Sequence, residues 1–141
     1  SDFVSLFKKC RILNKSIDKD IGKNVLASYR RVSNILDQEI KKNKLTIKGI
    51  PDSILFKKDE EKILFEEING IRKYLTSNFK SENYEKTLEI FANSKKNTDN
   101  FFDNVIVNDK NESIKTNRLE LLKMFCMTLD NFIDFSKVEG S

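Results

Sequence analysis

The chain has 141 residues, of which 38% are apolar and 34% charged, a balance typical of a folded globular domain and not of a disordered segment. Histidine is absent and the two cysteines stand alone, which excludes zinc-finger spacings, Ser-His-Asp triads and Cys-His dyads. The net charge is only +4, but residues 1–50 carry twelve Lys or Arg against five Asp or Glu, whereas residues 51–141 carry fourteen against seventeen.

The basic first half suggests a polyanionic partner, although Lys-rich composition from AT-rich coding sequence would give the same excess. No apolar run approaches the length of a membrane span, and no signal-peptide pattern is present. We therefore expect a cytoplasmic protein with no membrane contact. Cys10 and Cys126 are expected to be buried, reduced side chains. At 141 residues the chain is expected to be one domain, residues 1–141. Because it begins without Met, that domain is expected to be a fragment of a longer chain.

Two amphipathic helices are predicted first, and the scarcity of Gly and Pro favours long helices throughout. The first covers about residues 3–14 and is followed by a polar loop at 16–22. The second, from about 23 to 42, is the clearest, because its apolar residues step by 4, 3, 4 and 4 and so form a single stripe toward the core. That stripe consists of Val25, Tyr29, Val32, Leu36 and Ile40.

The polar face of the second helix is the best candidate for a site. Lys23, Arg30, Asn34 and Lys41 fall close together opposite the apolar stripe. RNA loops are recognised through splayed bases that stack on planar groups and are hydrogen-bonded at their edges, which Arg and Asn side chains can do. The two Lys would contact phosphates, and Arg11 on the first helix would extend the basic surface. The alternative interpretation is a solvated helix back without function.

The middle of the chain predicts a connection and then a third helix. Residues 43–58 include Gly49-Ile50-Pro51, which favours either a short extended piece or an ordered connection with one helical turn at about 53–56. The third helix begins at the acidic run 59–61, as suits a helix N-terminus. Gly70 in its middle either costs stability or permits a close helix approach. Its stripe is Leu64, Ile68, Ile71, Leu75 and Phe79.

The remainder predicts two further helices. The fourth covers about residues 84–94 and is followed by a polar turn at 95–99; the apolar cluster at 101–107 can be helical or extended. Asp109 and Glu112 suit a capping box that opens the last helix, about 112–135. Because the apolar face of that helix is broad, we expect it to lie centrally. Together the elements predict an all-α, antiparallel bundle of about five main helices.

Two arginines, Arg31 at the edge of an apolar stripe and Arg118 just inside the last helix, have alternative roles. Arg31 and Arg118 are each expected either to form an internal ion pair, with a carboxylate such as Asp103 as the partner of Arg31, or to contact RNA. Catalysis is not expected from the residues themselves. The carboxylate clusters suit helix starts and solvated faces, and there is no Gly-rich phosphate loop and no metal site.

Three strings stand out by their order and spacing: RRVSNIL at 30–36, FFDNVIV at 101–107, and NRLELL at 117–122 after an acidic residue. Together they resemble the C-terminal, DALR-type anticodon-binding domain of the beta subunit of bacterial glycyl-tRNA synthetase. The resemblance covers about residues 3–135. Residues 43–60 and 80–97 share only the hydrophobic rhythm of that family, so no function is carried over to them.

The resemblance implies an all-helical bundle that binds the anticodon arm of glycine tRNA, within a class II ligase of two subunits that forms an α2β2 tetramer. It also implies that ATP and glycine bind only to the alpha subunit, and that this segment holds no cofactor. Its partners would be tRNA, the alpha subunit and the rest of the beta subunit. Two alternatives remain open: the corresponding domain of an arginyl-tRNA synthetase, and a helical scaffold that docks proteins rather than RNA.

Overall fold

The computed structural model describes residues 19–78 and 84–139, and this part of the chain is helical with no β-strand. The predicted first helix, with Arg11 and Cys10, lies outside the described residues, as does Phe79. The all-α prediction is confirmed. The α-helices are α1 (Lys19–Asn43), α2 (Asp59–Asn78), α3 (Tyr84–Asn93), α4 (Lys95–Asn104) and α5 (Glu112–Glu139), and a short 3-10 helix (Ser53–Leu55) lies between α1 and α2.

Helix α5 is the centre of the bundle, as its broad apolar face predicts. It packs on α1 and α2, while α1 also contacts α3 and α4, and α2 contacts α4. Leu119, Leu121, Leu122 and Leu129 of α5 are each fully buried. The stripe on α1 faces this core through Val25, Val32 and Leu36, and α2 contributes Leu64, Ile68 and Ile71.

The predicted polar turn at 95–99 is wrong, because α4 already begins at Lys95. The buried residues of this helix are Thr98 and Phe101, and its other polar side chains lie half-buried or exposed. The hydroxyl of Thr98 donates to the carbonyl oxygen of Ser94 at 3.1 Å, which satisfies it inside the core. The hydrophobic pattern did not predict this helix, because Thr98, one of its buried residues, is polar.

The last helix begins at Glu112 as predicted, but its cap is a different residue. The side-chain oxygen of Asn111 accepts the backbone N–H groups of Ser113 and Ile114 at 2.9 and 3.2 Å. Asp109 instead accepts the N–H of Asn111 at 2.8 Å. The predicted capping box from Asp109 is thus wrong by two residues, because Asn111 is the residue beside the first free N–H groups of the helix.

The connection between α1 and α2 is ordered and has its one helical turn, Ser53–Leu55, at the predicted position. Two side chains of α5 hold it. Glu120 accepts the backbone N–H groups of Lys48, Gly49 and Ile50 at 3.0, 2.5 and 3.0 Å. The amide of Asn117 accepts from the backbone N–H of Asp52 at 2.6 Å and donates to its carbonyl at 2.9 Å. This loop is therefore positioned by residues about 70 positions later in the chain.

Candidate nucleic-acid interface

The exposed side of α1 carries the four residues predicted as an RNA site, Lys23, Arg30, Asn34 and Lys41, which we call the α1 strip. All four are exposed, whereas Val25, Val32 and Leu36 on the opposite side are buried. Within the described part of the chain, no hydrogen bond or ion pair engages the side chains of the strip. Residues four apart on a helix have Cβ atoms about 5–6 Å apart, so Arg30 and Asn34 can reach one nucleotide together.

Charge on the α1 strip is positive but not uniform. Asp37 is exposed three residues after Asn34 and adds one carboxylate close to the strip. At the C-terminal end of α1, Lys41, Lys42 and Lys44 are all exposed, and they restore a positive surface there. The helix thus offers a hydrogen-bonding centre at Arg30 and Asn34, flanked by cations suited to phosphate groups.

Arg31 does not pair with Asp103, which is exposed on α4. Its guanidinium instead lies 3.8 Å from a carboxylate oxygen of Asp99 and 4.2 Å from the ring centroid of Phe102. Asp99 and Phe102 lie one turn apart on α4, and both contact Arg31. The Arg31 side chain is half exposed, so this contact is worth only about 0.5–1 kcal/mol.

Arg118 is placed inside the protein, away from the α1 strip. Its guanidinium contacts Glu61 of α2 at 2.9 Å and Asp109 at 3.3 Å, and it donates to the carbonyl oxygen of Ile106 at 2.6 Å. The Arg118 side chain is 5% exposed and the Glu61 side chain 0%. Arg118 therefore joins α5 to the start of α2 and to the segment after α4, and Asp103 is not its partner.

Sequence reasoning missed Glu61 and Glu39, the acidic residues that form buried ion pairs with α5. Glu61 also accepts the N–H groups of Lys57 and Lys58, both at 3.2 Å, so it caps α2 as well as holding Arg118. Lys115 of α5 pairs with Glu39 of α1 at 3.0 Å, with both side chains mostly buried. A Glu at the third position of a predicted helix was the available signal for Glu61; for Glu39 the sequence held none.

Tyr29 of α1 and Cys126 of α5 are two further polar groups near the contact between these helices. The hydroxyl of Tyr29 donates to Asp130 at 2.9 Å, and burial together with this carboxylate raises the pKa of Tyr29. Burial also raises the pKa of the Cys126 thiol to about 12. Cys126 is free and buried, as predicted, and its raised pKa makes it a poor nucleophile.

Among the described residues, no group of three or more Cys, Asp or Glu is arranged to hold a metal ion. Of the helices in the same part of the chain, none is both long and apolar enough to cross a membrane.

Comparison with known proteins gives a consistent family assignment. The family model described as the DALR anticodon binding domain matches residues 25–139. The protein named glycine–tRNA ligase beta subunit of Rickettsia prowazekii (strain Madrid E) is 35% identical over 130 residues, which is 92% of this chain and 19% of that protein. The protein of the same name in Rickettsia felis (strain ATCC VR-1525 / URRWXCal2) is 35% identical over 126 residues, 89% of this chain and 18% of that protein. The chain thus spans about a fifth of the length of the curated relatives it matches.

Proposed function

The chain belongs to the DALR anticodon binding domain family, and from that membership we propose that it binds the anticodon arm of glycine tRNA as a domain of a glycine–tRNA ligase beta subunit. The observation that carries the proposal is the family match over residues 25–139, which includes α1 from Val25 and all of α5. The similarity to two beta subunits of that name supports glycine as the amino acid.

The geometry supports the α1 strip as the RNA-binding surface. Arg30 and Asn34 lie at the surface, are one helical turn apart, and hold no partner among the described residues that RNA would have to displace. Arg118, by contrast, is committed to Glu61 and is 5% exposed. We therefore assign base contacts to Arg30 and Asn34, phosphate contacts to Lys23 and Lys41, and a structural role to Arg118.

The activity of the whole enzyme is proposed on the similarity to the beta subunits. We propose that this chain is a single domain of a longer beta subunit, which works with an alpha subunit in an α2β2 assembly in the cytoplasm. ATP and glycine would bind to the alpha subunit, where glycine is attached to tRNA. This chain would contribute affinity and orientation of the tRNA, because no catalytic constellation is recognised in its sequence.

The test is a titration of the chain with glycine tRNA, arginine tRNA and a third tRNA at two salt concentrations. We expect preference for glycine tRNA and a steep loss of affinity with salt, with a log–log slope of about −0.7 per phosphate neutralised on a single strand. Preference for arginine tRNA would favour the arginyl-tRNA synthetase alternative. Binding that ignores salt, or none, would favour the protein scaffold.

Substitution of the α1 strip is the matching test at residue level. Arg30→Ala should weaken binding of glycine tRNA at least about tenfold, since a hydrogen bond to a charged group is worth about 1.5–3 kcal/mol. Lys62→Ala, which removes an exposed cation from α2, is the control and should leave affinity nearly unchanged. Equal losses for the two variants would mean that Arg30 contributes charge and no specific contact.

A further inference from the structure

A second surface, outside the α1 strip, has the form of a ligand site. A groove of about 440 Å³ lies between α2, α5 and the loop that follows α1. No residue of the α1 strip lines it. The volume lies within the range of about 300–1,000 Å³ found for small-molecule sites, and it can accept one nucleotide.

The groove has apolar walls that a planar base can pack against. Phe65 of α2 is half-buried, and Met127 of α5 is 38% exposed beside the buried Met124. Ile50, on the loop, is 76% exposed. Stacking of bases on such side chains tolerates every base, since each has a π-face, and thioethers also make favourable contacts with aromatic rings.

The polar groups around the groove suit the edge of a base and a phosphate. The side-chain amides of Asn69 and Asn131 each offer donors and an acceptor, and Lys48 and Arg72 bring two cations. Within the described residues, none of these four side chains has a hydrogen-bond or ion-pair partner. Their hydrogen-bonding capacity is therefore available to a ligand.

The charge of the lining distinguishes this groove from two others on the described surface. No Asp or Glu lines it. Of the other two, one is lined by Glu112 and Glu120 and the other by Glu60. An anionic ligand therefore meets only cations and neutral groups in the first groove. This favours a nucleotide over an uncharged apolar segment of protein.

The wall formed by the loop is preformed. Gly49 has a φ of +82°, and a Cβ atom at this position would lie 2.7 Å from the sulfur of Met127. The three backbone N–H groups bound to Glu120 hold the same turn. A wall that needs no ordering on binding lowers the entropic cost of association.

We propose that this groove binds one unstacked nucleotide of RNA. Its base packs on Phe65 and Met127 and is hydrogen-bonded at its edge by Asn69 and Asn131, while Arg72 and Lys48 meet its phosphate. The inference rests on the proposed function, because the RNA is the tRNA held by the α1 strip. It adds a second point of contact, on other helices of the bundle.

The composition of the chain allows a direct test, because its two methionines, Met124 and Met127, both line the groove. A sample labelled at the methionine methyl carbons gives two methyl signals, both reporting on this site. The probes are the four ribonucleoside 5′-monophosphates, with ribose 5-phosphate as the control without a base. We expect saturable ring-current shifts of the Met127 methyl with nucleotides and much smaller ones with ribose 5-phosphate.

Arg72→Ala should weaken nucleotide binding at least fivefold. Lys73 is an exposed neighbour outside the groove, and Lys73→Ala should leave nucleotide binding unchanged. The proposal would be overturned if none of the four nucleotides shifts the methyl signals, which is the result expected of a groove that binds a protein segment. Equal shifts with ribose 5-phosphate would overturn it too, in favour of a simple anion site.

The outcomes also separate the two proposals. Binding of glycine tRNA that leaves both methionine signals unmoved would overturn the groove proposal and keep the proposed function. Saturable nucleotide shifts without any binding of tRNA would support the groove as a nucleotide site while the proposed function fails.

Discussion

Arg118 connects three parts of the chain through one buried guanidinium. It bonds Glu61 at the start of α2, the carbonyl oxygen of Ile106 and the carboxylate of Asp109. Its neighbour Asn117 holds the backbone of Asp52. The string NRLELL carries part of the family resemblance. Its first two residues, Asn117 and Arg118, therefore make contacts inside the protein. These contacts support the structural role proposed for Arg118.

Replacing Arg118 should test that structural role. Arg118→Ala would leave the carboxylate of Glu61 buried without a cation, and we expect a loss of about 3–5 kcal/mol in the free energy of unfolding. Urea denaturation followed by circular dichroism measures it. The exposed Arg72→Ala is the control and should change stability by less than about 0.5 kcal/mol. A similar small change for Arg118→Ala would show that the junction contributes little.

Glu67 gives a prediction for the pH dependence of stability. Burial raises the pKa of this half-buried carboxyl above its ordinary value of 4.5, although the Asn97 amide donates a hydrogen bond to it. The folded protein therefore binds the proton more tightly than the unfolded chain. This contribution to stability is fully present below pH 4.5 and is lost as pH rises through the raised folded pKa.

Glu67→Gln should accordingly stabilise the protein at pH 7, since Gln is neutral and its oxygen can still accept from Asn97. The advantage should shrink as the pH falls toward 4.5 and below, where Glu67 itself becomes protonated. Melting temperatures across this pH range measure the effect. Glu66→Gln, at an exposed neighbouring position, should show no such trend. A constant difference at all pH values would contradict burial of the Glu67 charge as the cause.

At the scale of elements, Gly49 in the loop and Gly70 in α2 have opposite roles. Of the two alternatives predicted for Gly70, the close helix approach is wrong, because nothing lies within 4 Å of the place its Cβ would occupy. Gly49, by contrast, has a positive φ, and its backbone packs closely against the side chain of Met127. Gly70 thus only weakens a helix, whereas Gly49 is needed by the fold.

The two glycines can be compared by the same substitution. Gly70→Ala should raise the free energy of unfolding by about 1 kcal/mol, the difference in helix propensity between the two residues. Gly49→Ala should lower it by more than about 1 kcal/mol, because Ala is strained at positive φ and meets the Met127 sulfur. Chemical denaturation of both variants measures the changes. A stabilising Gly49→Ala would mean that Glu120 and Met127 do not hold the loop in this turn.

At the scale of the whole molecule, α5 carries two hydrophobic clusters that meet at an aromatic pair. One cluster holds Phe125 and the other Phe91, Leu129 and Phe132. The rings of Phe91 and Phe125 lie 6.4 Å apart in an edge-to-face arrangement. Because Tyr29 of α1 also packs against both clusters, we expect the described helices to unfold as one cooperative unit.

Phe91→Ala tests this unity. We expect a loss of about 3–5 kcal/mol and a single unfolding transition that coincides by far-ultraviolet and near-ultraviolet circular dichroism. Ile63→Ala, at an exposed apolar position of α2, is the control and should have a small effect. Two separate transitions in the Phe91→Ala protein would show that the clusters fold independently.

Most of the helices were predictable because their signal is local. The apolar stripes of α1 and α2 repeat at helical spacing, and this spacing also placed Arg30 and Asn34 together on the outer face. The start of α4 was missed because buried Thr98 resembles a surface residue in a hydrophobicity pattern. The cap of α5 was misplaced by two residues because Asp and Asn serve equally well as caps.

The amino-acid sequence by itself determined the all-α class, the helix faces and, through three strings of residues, the family. The tertiary structure alone decided which charges meet: Arg31 with Asp99, Arg118 with Glu61, and Glu120 with a loop about 70 residues earlier. It also decided that Phe65, Arg72 and Met127 share a groove. The physical reason is that helix periodicity acts over a few residues, whereas ion pairs and grooves depend on how distant helices are rotated against one another.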